Sequence, residues 1–278
     1  MNTATLLAAL ILAVVAPQSD VVPPEYAAAK AALDAQDPAL AARIIEESLA
    51  ALPPGTEASA LIQLTLGTAY LRAGQPEKAI APLEKAAARD PAALAPLADA
   101  LRGAGRADDA RRAYEKAATA DATNARYSRA RIAQLDSAAE KDPQKSAALL
   151  FTAADTFAED AGYFDEATAL YEAIARTKAW RGESTARALF SLGEIQRQRK
   201  AYPEAIAYYQ RCFVSWARYP QWCARAYHRA ADSFEALGRR PEAIAHLREL
   251  LRKSDKYGRL PEFNEAKTRL RAWGEVVQ

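Results

Sequence analysis

Cys212, Cys223 and His228 are the side chains of this sequence best suited to chemistry. All three fall in one stretch, YYQRCFVSWARYPQWCARAYHRAA, residues 208–231. The chain has two cysteines and two histidines, the other histidine being His246. Thiolate and imidazole are zinc ligands, but a metal site needs three or four of them, and two cysteines with one nearby histidine make no recognised spacing. A catalytic cysteine needs a positioned base, and no residue stands out as one. A Cys212–Cys223 disulfide is sensible if the chain reaches an oxidising compartment. The fourth reading is that both are small buried residues in a helix–helix seam. Elsewhere there is no HExxH, GxSxG, phosphate loop or GxGxxG. Carboxylate pairs such as Glu46-Glu47 and Asp108-Asp109 read as solvated helix faces. These observations point to a chain that is not an enzyme and holds no metal or cofactor.

The elements that position these residues are helices. Of 278 residues, 50% are hydrophobic, ample for a core. Alanine dominates and long alternating stretches are absent; alanine loses no side-chain entropy in a helix. Net charge is +2, which argues against a nucleic-acid binder. Residues 1–140 carry 14 Lys and Arg against 17 Asp and Glu, a net of −3, and residues 141–278 carry 23 against 18, a net of +5.

The N-terminal run LLAALILAVVA, residues 6–16, is too short to cross a bilayer, which takes ~20 residues. It fits the apolar region of a secretory signal. No Lys or Arg precedes it, and Pro17 follows the small-residue stretch Val14-Val15-Ala16. Residues 1–22 are read as a signal peptide or an uncleaved N-terminal anchor. That makes the chain exported, to the periplasm or cell envelope, with membrane contact only through this segment if it is uncleaved.

Five stretches then recur: GQPEKAIAPL from Gly74, GRADDARRAY from Gly105, GYFDEATALY from Gly162, KAYPEAIAYY from Lys200 and GRRPEAIAHL from Gly238. Ala79, Ala110, Ala167, Ala205 and Ala243 stand at the same place in each, followed four residues on by Leu83, Tyr114, Tyr171, Tyr209 and Leu247. Glycine lets a helix end in a left-handed residue. Pro76, Pro203 and Pro241 suit the start of the next helix, where a missing N–H costs little. The alanine lets two helices approach, and the tyrosine or leucine fills the space beside that contact. In this frame Cys212 and Cys223 face each other across consecutive antiparallel helices. At ~1.5 Å rise per residue, their heights differ by a few ångströms, which makes a bridge marginal against the ~7 Å Cα limit.

LIQLTLGTAYLRAGQPEKAIAPLEKAAARDP, residues 61–91, closely resembles a tetratricopeptide repeat. Leu66-Gly67, Tyr70, Gly74, Ala79, Ala86 and Pro91 stand at that family's spacing, with Gln63 and Leu83 departing from its usual tryptophan and phenylalanine. Residues 190–212 are a second match through Leu192-Gly193, Ala205 and Tyr209. The resemblance covers most of residues 56–254, and a sixth copy is expected before it, with helices near 24–36 and 38–52. It implies an all-α solenoid of antiparallel helix pairs, about five to six repeats with a C-terminal capping helix. The aligned alanines are 31, 57, 38 and 38 residues apart, against a usual period of about 34. The long interval implies an inserted connecting helix over 123–141, between an N-terminal block at 24–122 and a C-terminal block at 142–254. Residues 255–278, with Phe263, Ala266, Leu270 and Trp273 on one stripe, form the cap.

The resemblance further implies a groove lined by the first helix of each pair, where a protein or peptide partner lies. Its positions in the C-terminal block are Arg187, Phe190, Glu194, Arg197, Arg225, His228, Asp232 and Glu235. The carboxylate clamp of chaperone-binding members needs an asparagine in these helices. Asparagine occurs here only at Asn2, Asn124 and Asn264, so that clamp is not expected. The reading is a non-catalytic protein-interaction scaffold of the cell envelope; the alternative is a structural subunit that self-associates or packs into a larger assembly. Phe190 is expected to be exposed, burying an apolar side chain of the partner while an acidic group lies near Arg187 or Arg225.

Overall fold

In a computed structural model, which describes residues 24–53, 55 and 57–277, six helices end on a left-handed residue: Gln36, Gly74, Gly105, Lys200, Gly238 and Gly274, with φ between +61° and +76° for the middle four and +62° and +79° at the ends. At each, the next amide reaches back over the helix end, as Gln75 N does to Tyr70 O and Arg239 N to Phe234 O. The two non-glycine cases are informative. Lys200 stands where the other repeats have glycine, and Gln36 does the same for the first pair, which lacks a glycine there. Gly162 corrects the expected pattern. It is not left-handed but sits in a 3₁₀ turn at Ala161–Tyr163, where the Asp160 carboxylate accepts from its N–H at 2.9 Å.

Each of these stops but Gly274 is followed by a new helix, and among the described residues the chain is helical with no strand. The helices are α1 Pro24–Asp34, α2 Pro38–Ala50, α3 Ala60–Arg72, α4 Pro76–Ala87, α5 Leu94–Gly103, α6 Ala107–Ala120, α7 Ala122–Ala139, α8 Pro143–Ala158, α9 Phe164–Arg176, α10 Glu183–Gln198, α11 Tyr202–Ser215, α12 Pro220–Ala236, α13 Arg240–Arg252, α14 Ser254–Tyr257 and α15 Pro261–Ala272. Short connections force consecutive helices back against each other. The pairs are α1–α2, α3–α4, α5–α6, α8–α9, α10–α11 and α12–α13, and α15 packs on α12 and α13. The signal or anchor reading of residues 1–22 lies outside the described residues. Among those described, no helix is long and apolar enough to cross a membrane.

Two compact units divide between Leu135 and Asp136, inside α7. In the first, Tyr127 and Leu135 of α7 pack on Ala98, Leu101, Ala110, Ala113 and Tyr114. In the second, Ser137 of α7 and Ser146 of α8 exchange buried hydroxyl–carbonyl bonds at 2.8 Å. The pairs close on small residues. Ala79, Ala110, Ala167, Ala205 and Ala243 are all wholly buried. Gly67 and Gly193 permit a still closer approach. A Cβ on Gly193 would sit 2.4 Å from Tyr209 Cε1, and one on Gly67 would sit 2.3 Å from Leu83 Cγ. Glycine in mid-helix costs roughly 1 kcal/mol against alanine; here it makes room for the large side chain of the partner helix.

Candidate functional site

The eight expected groove residues fall on first helices of the second unit. Arg187, Phe190, Glu194 and Arg197 are on α10, and Arg225, His228, Asp232 and Glu235 are on α12. α10 packs on α12, and α12 on α15, so these side chains share a face with α15. A cavity of about 390 Å³ lies there, lined by Phe190, Glu194, Arg225, His228, Glu262 and Glu265 among others. A second cavity, of about 530 Å³, is bounded by the aromatic side chains Phe151, Trp180, Tyr219 and Trp222, with Arg187 and Glu183 at its polar edge. Phe190 and Trp222 stand between the two cavities with ring centroids 5.8 Å apart.

The charges of this face are paired within the chain. Asp155 on α8 accepts from the Tyr171 hydroxyl of its own pair and from Arg187 of the next first helix, both at 2.5 Å. Glu194 on α10 accepts from Tyr209 of its own pair at 2.5 Å and meets Arg229 of the next first helix at 3.4 Å. Arg269 on α15 bridges Asp232 and Glu235 of α12, and Arg225 reaches Glu262 at 3.2 Å. The first unit repeats the arrangement. Asp99 on α5 accepts from Tyr114 of its own pair at 2.5 Å and from Tyr127 of α7 at 2.7 Å, with Arg131 at 3.9 Å. A carboxylate on a first helix thus ties the second helix of its pair to the next helix packed on that face, which is α7 for Asp99 and a first helix for Asp155 and Glu194. Burial, together with the adjacent carboxylate, pushes the Tyr114, Tyr171 and Tyr209 phenols far above their ordinary range.

This pairing revises the expected site in two ways. Arg187 and Arg225 are occupied, so a ligand carboxylate gains little there without displacing Asp155 or Glu262. Phe190 is half-buried, against Tyr209 at 5.9 Å between centroids as well as Trp222; it is a wall of the cavity of about 390 Å³ rather than a freely exposed anchor. Of the expected groove set, Arg187 alone lines the aromatic cavity; Trp222 lies within the stretch 208–231 but was not among the expected groove positions. Arg187 lies over the faces of both Phe151, at 4.0 Å, and Trp222, at 5.9 Å, so its position is fixed by rings on two sides.

His228 is the remaining titratable group of the face. Its Nε2 is buried without a hydrogen bond and lies 3.6 Å from Glu265 Oε2. Burial holds its pKa below the ordinary imidazole value. Cys212 and Cys223 are wholly buried and unbridged in this structure. The Cys212 thiol donates to Ala186 O at 3.4 Å and the Cys223 thiol to Trp216 O at 3.3 Å. No group of His, Cys, Asp and Glu among the described residues could hold a metal ion.

Two family models, both described as tetratricopeptide repeat, match residues 26–94 and 184–256. No curated protein matches the chain. Solved structures that do resemble it include the C-terminal part of a TPR repeat-containing protein from Cytophaga hutchinsonii, 12% identical over 87% of this chain and 98% of that one, with a TM-score of 0.42. A tetratricopeptide repeat protein from Parabacteroides merdae is 13% identical over 88% and 96%, with a TM-score of 0.41. The TPR2AB domain of yeast Sti1, in its pHSP90 complex, is 17% identical over 88% and 95%, with a TM-score of 0.35.

Proposed function

The chain belongs to the tetratricopeptide repeat proteins, and on that premise we propose that it is a non-catalytic scaffold whose second unit binds a protein segment on the face formed by α8, α10, α12 and α15. The observation that carries this reading is the aromatic cavity of Phe151, Trp180, Tyr219 and Trp222. Tryptophan, tyrosine and arginine in a partly desolvated pocket are the composition of binding hot spots. Because Arg187, Arg225, Asp232 and Glu235 are already paired, recognition rests on an apolar or aromatic side chain entering this cavity. The apolar run of residues 6–16 supports placing the scaffold in the cell envelope.

The experiment is selection of a displayed peptide library on the chain from residue 23 onward, followed by affinity measurement on Trp222→Ala. The enriched peptides should share one large apolar residue, and the substitution should weaken them by ~2 kcal/mol or more. Peptides that bind Trp222→Ala with unchanged affinity would place recognition elsewhere. Light scattering on the same sample tests the structural-subunit alternative, which requires a stable oligomer. Export is tested by fusing residues 1–25 to a reporter active only outside the cytoplasm; a silent reporter would overturn the envelope placement.

A further inference from the structure

A third cavity, of about 380 Å³, lies where α9 and α11 end and α10 begins. Its walls include Arg176, Lys178, Arg181, Arg211, Ser215 and Thr185, and no carboxylate lines it. In this it differs from the two cavities of the first-helix face, whose walls carry Glu183, Glu194, Glu262 and Glu265. The basic side chains differ too. Arg176 is held by Glu172 at 2.8 Å, but among the described residues Lys178, Arg181 and Arg211 form no ion pair. Both free guanidinium groups lie over aromatic faces instead, Arg181 over Trp216 at 5.7 Å and Arg211 over Tyr208 at 5.6 Å. Stacking of that kind fixes the plane of a guanidinium while leaving its N–H edge free for a bidentate acceptor.

One further donor points the same way. α10 begins at Glu183 with Gly182 as its N-cap; Gly182, Glu183 and Ser184 line the aromatic cavity, and Thr185 is the residue of this first turn that lines the present one. Thr185, in that first turn, is 5% exposed, and its Oγ1 is buried without a hydrogen-bond partner. An unsatisfied buried hydroxyl is costly, and an oxyanion at this wall would satisfy it. A spare buried hydroxyl beside free guanidinium groups is suited to a phosphoryl oxyanion. The ends of α9 and α11 offset part of the positive charge, because helix C-termini attract cations. Lys178, Arg181 and Arg211 together exceed what two helix ends need.

We propose that this cavity binds a phosphoryl group, with Arg181 and Arg211 as the charged donors and Thr185 as the neutral one. Arg181 also borders the aromatic cavity of the peptide-binding face, whereas Arg211 and Thr185 line this cavity and not that one. The test is isothermal titration calorimetry of the full chain near neutral pH at constant ionic strength. Inorganic phosphate, O-phosphoserine and acetate are titrated into the unaltered chain and into Arg211→Gln and Thr185→Val. Saturable binding of phosphate, weakened about tenfold or more by Arg211→Gln and also weakened by Thr185→Val, is expected, since hydrogen bonds to charged groups carry effects of that size. Thermal melts without ligand keep the result interpretable. Arg211 is exposed, so its variant should melt unchanged, and Thr185→Val removes an unpaired hydroxyl, so its midpoint should not fall. Binding of O-phosphoserine as well as phosphate would identify a phosphate monoester as the occupant; binding of phosphate alone would identify the free ion. No saturable binding of either, binding unaffected by both substitutions, or acetate bound as tightly as phosphate would overturn the proposal.

Discussion

Tyr209 on α11 donates its hydroxyl to Glu194 on α10 at 2.5 Å, which joins the two helices of one repeat through a carboxylate that also meets Arg229 of the next. The same relation holds for Tyr171 with Asp155 and Tyr114 with Asp99. Burial and the neighbouring carboxylate raise all three phenols. The unfolded chain releases these protons near pH 10, while the folded chain retains them. Above that pH the folded state therefore binds more protons than the unfolded one, and stability falls as pH rises. Urea denaturation between neutral pH and pH ~11 should show this decline. Tyr209→Phe should lower stability at neutral pH by about 1.5–2 kcal/mol, the lower part of the range for a hydrogen bond to a charged group, and make the alkaline decline shallower.

Gly193→Ala tests how closely those helices approach. The added methyl meets the Tyr209 ring at 2.4 Å, and the ring is wholly buried with its hydroxyl anchored on Glu194. Overpacking of that kind costs about 1–3 kcal/mol. The substitution should reduce stability in chemical denaturation at least as much as Tyr209→Phe, although alanine is the better helix former. An unchanged midpoint would mean that α10 and α11 are further apart.

Much of this was legible in the sequence. The alanine at the tight crossing, the large residue four positions later and the left-handed stop all recur at fixed offsets, because each answers a local geometric demand. Lys200 was placed in register by its neighbours alone. The pairing of the groove charges was not legible. Arg187 reaches Asp155 and Arg225 reaches Glu262 across 32 and 37 residues, and a frame built from one helix at a time shows polar positions, not their partners. A signal was nevertheless present: a carboxylate precedes each aligned tyrosine by 15 or 16 residues, at Asp99, Asp155 and Glu194. Gly162 misled because its place in the repeat matched while its chemistry is that of an Asp160-supported turn.

Lys200 has φ +61°, a conformation that costs a side-chain-bearing residue roughly 1 kcal/mol or more. Lys200→Gly should therefore raise stability by about 0.5–1 kcal/mol. The reciprocal change, Gly238→Ala at φ +72° with open space around its Cβ, should lower it by a similar amount through backbone strain alone. Paired thermal melts of the two variants check the sign of each.

The cysteines offer a chemical check. Both thiols are buried and donate to backbone carbonyls. A thiol-reactive probe should label neither in the native protein and both once it is unfolded without reductant. Protein recovered from an oxidising compartment that shows no reactive thiol after unfolding would contain the Cys212–Cys223 bridge.

His228 sets a second pH dependence, of opposite sign to that of the tyrosines. Its imidazole is buried, Nε2 has no hydrogen bond, and burial is the largest cause of its lowered pKa. Asp232 and Glu265 favour the charged form, while Arg269 and Arg229 oppose it. In the unfolded chain the ring takes up a proton as pH falls through about 6.5, whereas in the folded chain it does so only at lower pH. Across that window the unfolded state binds more protons, so the native state loses stability as pH falls. Carboxylates with lowered pKa, such as Glu249 beside Lys253, also weaken the fold on acidification, but nearer their own range. The comparison is therefore between the unaltered chain and His228→Gln, each denatured with urea at neutral pH and near pH 5.5. The loss between the two conditions should be smaller in the variant. Equal losses would show that His228 gains its proton as readily when folded as when unfolded, and that the face between α12 and α15 is open to water.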